Sequence, residues 1–245
     1  MPGAISLAVV LVVWWLVVQL GLVPAVALPD PVAVAGRVID WGGSGLGWRY
    51  LAPTLLAALL GSAVAAAVAV PLGIVIAHSR LLAAVVEPGV AFSQTVPLVA
   101  LAPLLALWLG YGTLPIAVLA AVIAFFPMVT TTIVGLRAID TAYIEQALLD
   151  GASGWQRLRH IELPGAGLAI LAGIRAGVVL SMTGAIVGEF VMGGAGLGTL
   201  LAISREAADT VGVFAVLVWI SATALALHSG LRAAETAAAT RLENR

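Results

Sequence analysis

The 245-residue chain has no cysteine and no lysine, and only 9% of its residues are charged. Without cysteine there is no disulfide framework, no thiolate metal site and no cysteine nucleophile. Without lysine the chain cannot form a P-loop of its own, because there a lysine after the last glycine reaches the β and γ phosphates of a nucleotide. All 11 basic residues are arginine, and 12 acidic residues balance them. The resulting net charge of −1 supplies no long-range field, so no nucleic-acid partner is expected. His78, His160 and His228 lie far apart at predicted span ends and suggest no metal site.

What the chain has is apolar residues: 62% are hydrophobic and the mean hydropathy is +1.14, outside the balance of a soluble domain. The chain reads as an all-α, multi-pass membrane protein in a single domain covering residues 1–245. A helix crossing a hydrocarbon core of about 30 Å needs roughly 20 apolar residues. Six spans are expected, at about 5–28, 53–77, 94–109, 114–136, 167–192 and 211–231. The first contains Ala25-Val26-Ala27, which looks like a cleavage site. No basic residue precedes it, however, and the apolar run is too long for a signal peptide, so it is expected to be retained. Pro97 and Pro103 break the third run and Pro127 interrupts the fourth, which places both inside a bundle, where neighbouring helices satisfy the freed carbonyls.

Six spans put both termini on one side. Arg80, Arg137, Arg157, Arg159, Arg232, Arg241 and Arg245 fall on that side, and Arg37, Arg49 and Arg205 fall opposite. The positive-inside rule then makes the termini cytoplasmic. It also makes residues 137–165 a cytoplasmic loop.

That loop concentrates charge that is scarce elsewhere. Asp140 or Thr141 can cap a first short helix, which Gly151 ends as the residue past the C-cap. Ile144, Ala147, Leu148 and Gly151 are spaced i, i+3, i+4, i+7 along one face. Ser153 and Gln156 form a capping box for a second helix containing Trp155, Leu158 and Ile161, which Pro164 stops. An apolar ridge framed by charges suits docking into a groove on another protein. A solvated loop, or a helix lying on the bilayer surface, would show the same periodicity.

The full spacing is more specific. Glu145-x-Ala147-x3-Gly151-x9-Ile161-x-Leu163-Pro164 resembles the "EAA" loop of bacterial ABC importer permeases, E-A-A-x3-G-x9-I-x-L-P, and departs from it only at Gln146. The resemblance implies a type I ABC importer permease fold with a cytoplasmic coupling helix. In that reading Glu145, Ala147, Gly151, Ala152, Trp155, Leu158, Ile161, Leu163 and Pro164 seat in a separate ATPase subunit. ATP and Mg would be bound by that partner, in two copies, and not by this chain, which performs no chemistry and is not an enzyme. A second permease copy, an extracytoplasmic solute-binding protein and membrane lipid complete the implied partners, and the bacterial inner membrane is the implied location.

Further likeness covers nearly the whole chain from Leu28 onward. Leu28-Pro29-Asp30-Pro31, the run Val96 to Leu104 followed by Leu107-Trp108-Leu109-Gly110, and Gly184 to Phe190 followed by Gly196-Leu197-Gly198 resemble the nitrate, sulfonate and taurine type permeases. Similar permeases carry pyrimidine precursors of thiamine, or riboflavin, so the resemblance names no single solute. Permeation of another class such as amino acids, and an ion-coupled secondary transporter, are the alternatives. The latter would normally need more spans, an internal repeat and membrane-embedded carboxylates. A membrane scaffold without transport would need neither broken spans nor a stripe of small residues.

Such a stripe is present in the fifth span, where Gly173, Gly177, Ser181, Gly184 and Gly188 recur every three or four residues and let another helix approach closely. Packing within the subunit, the pore-lining bundle and a contact between two copies are all compatible with it. Candidate pathway residues are Gln94, Thr95 and Pro97 at the third span, Thr131 in the fourth, and Arg175, Ser181, Thr183 and Glu189 in the fifth. Most span hydroxyls bond back to their own helix. Arg175 lies roughly 16 Å past Pro164 at 1.5 Å per residue; it is expected to pair, to snorkel, or to meet an anionic solute. Glu189 is expected at the outer interface, either solvated or against the solute-delivery protein.

Overall fold

The computed structural model describes residues 2–93 and 97–243; Gln94 and Thr95 lie outside them. Among the described residues all regular structure is helical. The helices are α1 (Pro2–Gln19), α2 (Pro31–Gly43), α3 (Leu46–His78), α4 (Arg80–Ser93), α5 (Ala102–Leu109), α6 (Thr113–Arg137), α7 (Thr141–Leu149), α8 (Gly154–Arg157), α9 (Leu163–Met192), α10 (Leu197–Glu206) and α11 (Thr210–Glu243). A 3-10 turn, Leu98–Leu101, precedes α5, and a π turn, Leu158–Glu162, joins α8 to α9.

Four helical runs are long and apolar enough to cross a membrane: Leu46–His78, Thr113–Arg137, Gly154–Met192 and Thr210–Ala237. Two shorter apolar helices, Ala8–Gln19 and Leu98–Leu109, fall in the first and third expected spans. The first run ends early because the chain turns at Gly21, whose φ is +63°. The second helix begins at Leu46, not at Pro53, so that both Pro53 and Pro71 lie inside it. Neighbouring helices tolerate these missing donors.

Helices α3, α6 and α9 form the centre. Small residues set their spacing: a Cβ on Gly61 of α3 would lie 2.7 Å from the Ala117 carbonyl oxygen and 2.8 Å from the Ala120 Cβ on α6. Ala57, Ala58, Leu119, Ala120, Met182 and Ala185 make one buried cluster, and Ala65, Ala69, Ala124, Met128 and Val129 make another. Without a hydrophobic driving force between helices in lipid, close approach and dispersion hold such a bundle.

At the end away from residues 137–162, the short amphipathic helices α2 and α10 pack Trp41, Leu197 and Leu200 against Leu51, Ala215 and Val216. Asp30 caps α2, accepting from the Val32 N–H at 2.9 Å, with Pro31 at the first helical position. Neither α2 nor α10 is expected from hydropathy, because both are too short to span.

Candidate functional site

The loop 137–162 is a pair of capped helices. Asp140 accepts from the Ala142 N–H at 2.9 Å and starts α7. The helix closes with the Gly151 N–H donating to the Leu148 carbonyl at 3.1 Å and Ala152 N–H to Ala147 at 2.9 Å, which requires Gly151 at φ +77°. The Ser153 hydroxyl accepts from Gln156 N–H while Gln156 Oε1 accepts from Ser153 N–H, so the expected capping box is present. The second helix does not stop at Pro164. It runs on through the π turn, in which Leu163 N–H donates to Leu158, and Pro164 takes an early α9 position where its missing donor costs little.

The expected apolar ridge is divided between two surfaces. Ala147 is buried and Ile144 half-buried, whereas Leu148, Leu149 and Trp155 face outward, Leu149 88% and Trp155 65% exposed. Glu145, Gly151 and Pro164 are exposed; Ala152, Leu158, Ile161 and Leu163 are half-buried. The loop thus has an inner side that packs on the bundle and an outer side whose apolar tips are exposed.

Behind the loop stands a charged cluster that the sequence reading did not single out. Glu162 is 3% exposed; its Oε1 accepts from Arg157 Nε at 2.6 Å, and its Oε2 lies 2.6 Å from Nε2 of His78, the last residue of α3. A cavity of about 240 Å³ beside it is lined by His78, Leu136, Arg137, Ile144, Arg157 and Glu162 among others. This contact ties the end of α3 to a residue 84 positions further along the chain.

Glu189, at the other end of α9, is neither solvated nor on the surface: it is 1% exposed. Its Oε2 accepts from the Thr54 hydroxyl and the Gly198 N–H, both at 2.9 Å, and Thr54 Oγ1 accepts from the Leu197 N–H at 2.8 Å. The carboxylate holds the start of α10 against α3. Gly196 and Gly198 are required there because a Cβ on Gly196 would overlap the Glu189 carboxylate and one on Gly198 would overlap the Ile186 carbonyl oxygen.

The stripe on α9 packs within the subunit. Cβ atoms on Gly173, Gly177 and Gly184 would run into Thr131, Met128 and Ala120 of α6, and one on Gly188 would sit 3.4 Å from Ile116 and Leu119. Ser181 turns to α3, donating to the Ala58 carbonyl at 2.6 Å. Thr131 bonds back to Pro127 of its own helix at 2.7 Å. Thr183 is exposed, and Pro97 leads into the 3-10 turn. Arg175 is not a free cation for an anionic solute: its Nε pairs with Glu235 of α11 at 3.1 Å. The expected sixth span ended at 231, so this partner lay outside it.

Beyond the spans, Arg37 Nη1 pairs with Asp209 at 2.6 Å and joins α2 to the start of α11. Partial burial pushes the Asp209 carboxyl up, but the Gly212 N–H and the Arg37 guanidinium together outweigh it and hold the group below its usual value.

The described residues thus form a bundle of long apolar helices that carries an outward-facing pair of short capped helices at one end. Residues 69–235 match the family described as binding-protein-dependent transport system inner membrane component, and the chain belongs to that family. It is similar to the riboflavin transport system permease protein RibX of Chloroflexus aurantiacus, 42% identical over 91% of this chain and 84% of the relative. It is also similar to the taurine transport system permease protein TauC of Escherichia coli, 30% identical over 93% and 85% of the two chains. The fold matches a solved structure of the MetNI methionine ABC transporter, with a TM-score of 0.65 and 20% identity over 78% of this chain and 93% of that one. The chain is therefore an inner-membrane permease component of an ABC importer for a small solute.

Proposed function

We propose that this chain forms the membrane pathway of an ATP-driven importer for riboflavin or a related small heterocycle. In this reading the four long helices and the shorter Ala8–Gln19 and Leu98–Leu109 serve as six spans, and the arginine distribution supports cytoplasmic termini. Two copies of the chain work with two ATPase subunits, which bind ATP and Mg, and with an extracytoplasmic binding protein. Closure of the ATPase pair displaces residues 137–165, and the bundles rock between outward and inward openings.

The observation that carries this reading is the exposed apolar edge of the loop. Leu148, Leu149 and Trp155 stand on two capped helices that a rigid cluster backs, and such tips suit a groove on a partner. The solute assignment rests on the RibX likeness and on the pairing of Arg175, which leaves its charge compensated. A taurine or sulfonate importer is the second reading, favoured by the TauC likeness. Uptake of labelled riboflavin and labelled taurine, in cells expressing the chain with its ATPase and binding protein, decides between them. ATP-dependent riboflavin uptake is expected. Uptake driven by an ion gradient without the ATPase would sink both readings.

A further inference from the structure

Glu162 is the most deeply buried ionisable side chain among the described residues at the loop end of the bundle, and its two oxygens are engaged by side chains from different elements. Arg157 belongs to α8, Glu162 to the π turn and His78 to the end of α3. Both ring nitrogens of His78 are engaged. Its Nδ1 lies 2.8 Å from the Ile74 carbonyl oxygen and its Nε2 lies 2.6 Å from the Glu162 carboxylate, so each ring nitrogen faces an acceptor. The ring is thereby held between the backbone of its own helix and the Glu162 carboxyl group. Arg157 and Glu162 form an ion pair with Glu162 buried, and removing one partner of such a pair leaves the other charge uncompensated.

The π turn determines which way Glu162 points. It places one more residue in the turn than an α-helix would, and at 3.6 residues per turn that rotates the following side chains by about 100°. The Leu163 N–H reaches back to Leu158 across this widened ring. Glu162 thereby faces α3 while the flanking Arg159 and His160 stay exposed.

We propose that Glu162 is a positioning residue that passes displacement of the loop to α3. Through it, residues 137–162, the inner end of α3 and the start of α9 move as one body. The inference rests on the reading that the loop seats in an ATPase subunit. It goes beyond that reading by naming the path behind the docked surface. The loop is covalently continuous with α6 and α9, and the His78–Glu162 contact ties it directly to α3.

The absence of native cysteine makes the test clean. Spin labels at Tyr143→Cys and Val75→Cys, both exposed positions outside the proposed docking edge, report the distance from loop to α3 in the complex with its ATPase subunit. In the parent chain one narrow distance should persist with and without ATP. In Glu162→Gln, which keeps the shape, and in His78→Phe, the distribution should broaden and shift on ATP binding. Riboflavin imported per ATP hydrolysed should fall by roughly tenfold, the middle of the range for coupling between sites. His78→Gln, which retains a donor towards Glu162, should recover much of that loss. A distribution that stays narrow and an unchanged ratio in both disruptive variants would overturn the proposal. In that case uptake in Gly151→Val would still fail, so the docking reading would stand. Loss of ATPase association in both variants would equally contradict it, since Glu162 would then shape the docking surface itself. A parent loop that never contacts the ATPase would remove the underlying reading, and the proposal with it.

Discussion

Thr54 on α3 and Glu189 on α9 meet at 2.9 Å, and the same threonine oxygen receives the Leu197 N–H at 2.8 Å. One hydroxyl thus satisfies a buried carboxylate and an N–H in the first turn of α10 together. At the other end of α9, twenty-seven residues and about 40 Å away at 1.5 Å per residue, Glu162 ties the chain to His78 of the same helix α3. Helices α3 and α9 are held together at both ends by a buried glutamate, with Ser181 and Ala58 bonded between them.

Thr54→Val keeps the volume and removes the hydroxyl, leaving a buried N–H unpaired and the carboxylate short of a donor. The expected loss is about 1–3 kcal/mol of stability. Thermal unfolding of the detergent-purified protein measures it, and Thr54→Ser should behave like the parent.

The glycines of the central helices differ in what they permit. Gly61→Ala forces a methyl against the backbone of α6 at 2.7 Å, where no side chain can move aside. Overpacking of this kind costs about 1–3 kcal/mol. At Gly188 the neighbours lie at 3.2–3.4 Å and are side-chain ends, so Gly188→Ala should be nearly neutral in the same unfolding assay.

The Arg37–Asp209 pair predicts an acid limit. The folded-state value of Asp209 lies below its unfolded one. Its stabilisation is therefore complete above the ordinary aspartate value of about 3.9 and is lost as the pH falls through the lower folded value. Because both side chains are about a third exposed, the contribution is small. Asp209→Asn should flatten that part of the stability profile below about pH 4 while the higher-pH plateau drops only slightly.

Gly151→Val places a β-branched residue at φ +77°, a genuine outlier for that type. The turn between α7 and α8 should open, and both co-purification of the ATPase and ATP-driven uptake should fail while the bundle still folds. A Gly151→Asn variant, which tolerates the left-handed region, should retain part of both.

Much of this was legible from residue order. The Asp140 cap, the Gly151 turn and the Ser153–Gln156 box are local, since each bond closes within two to five residues, and all three stand as the spacing implies. The long helices follow from apolar runs, although Pro53 marks no boundary because the bundle tolerates it inside α3. Helices α2 and α10 escaped notice because each is too short to span and buries only one face against α11 and α3. The partners of Glu162, Glu189 and Arg175 were not legible. His78, Thr54 and Glu235 lie 60 to 135 residues away, and only the packing of α3, α9 and α11 brings them near. The stripe of small residues announced a close helix contact, but nothing in its period says that the neighbour is α6.

The central claim is that the outward edge of α7 and α8 is what the ATPase subunit grips. The most direct measurement is cross-linking from a single Leu149→Cys or Trp155→Cys, in the otherwise cysteine-free chain, to the co-expressed ATPase. These two positions should give adducts whose yield changes with ATP, and Tyr111→Cys, an equally exposed residue in the α5–α6 connection, should give none. Adducts from Tyr111→Cys with none from the two loop positions would contradict the account.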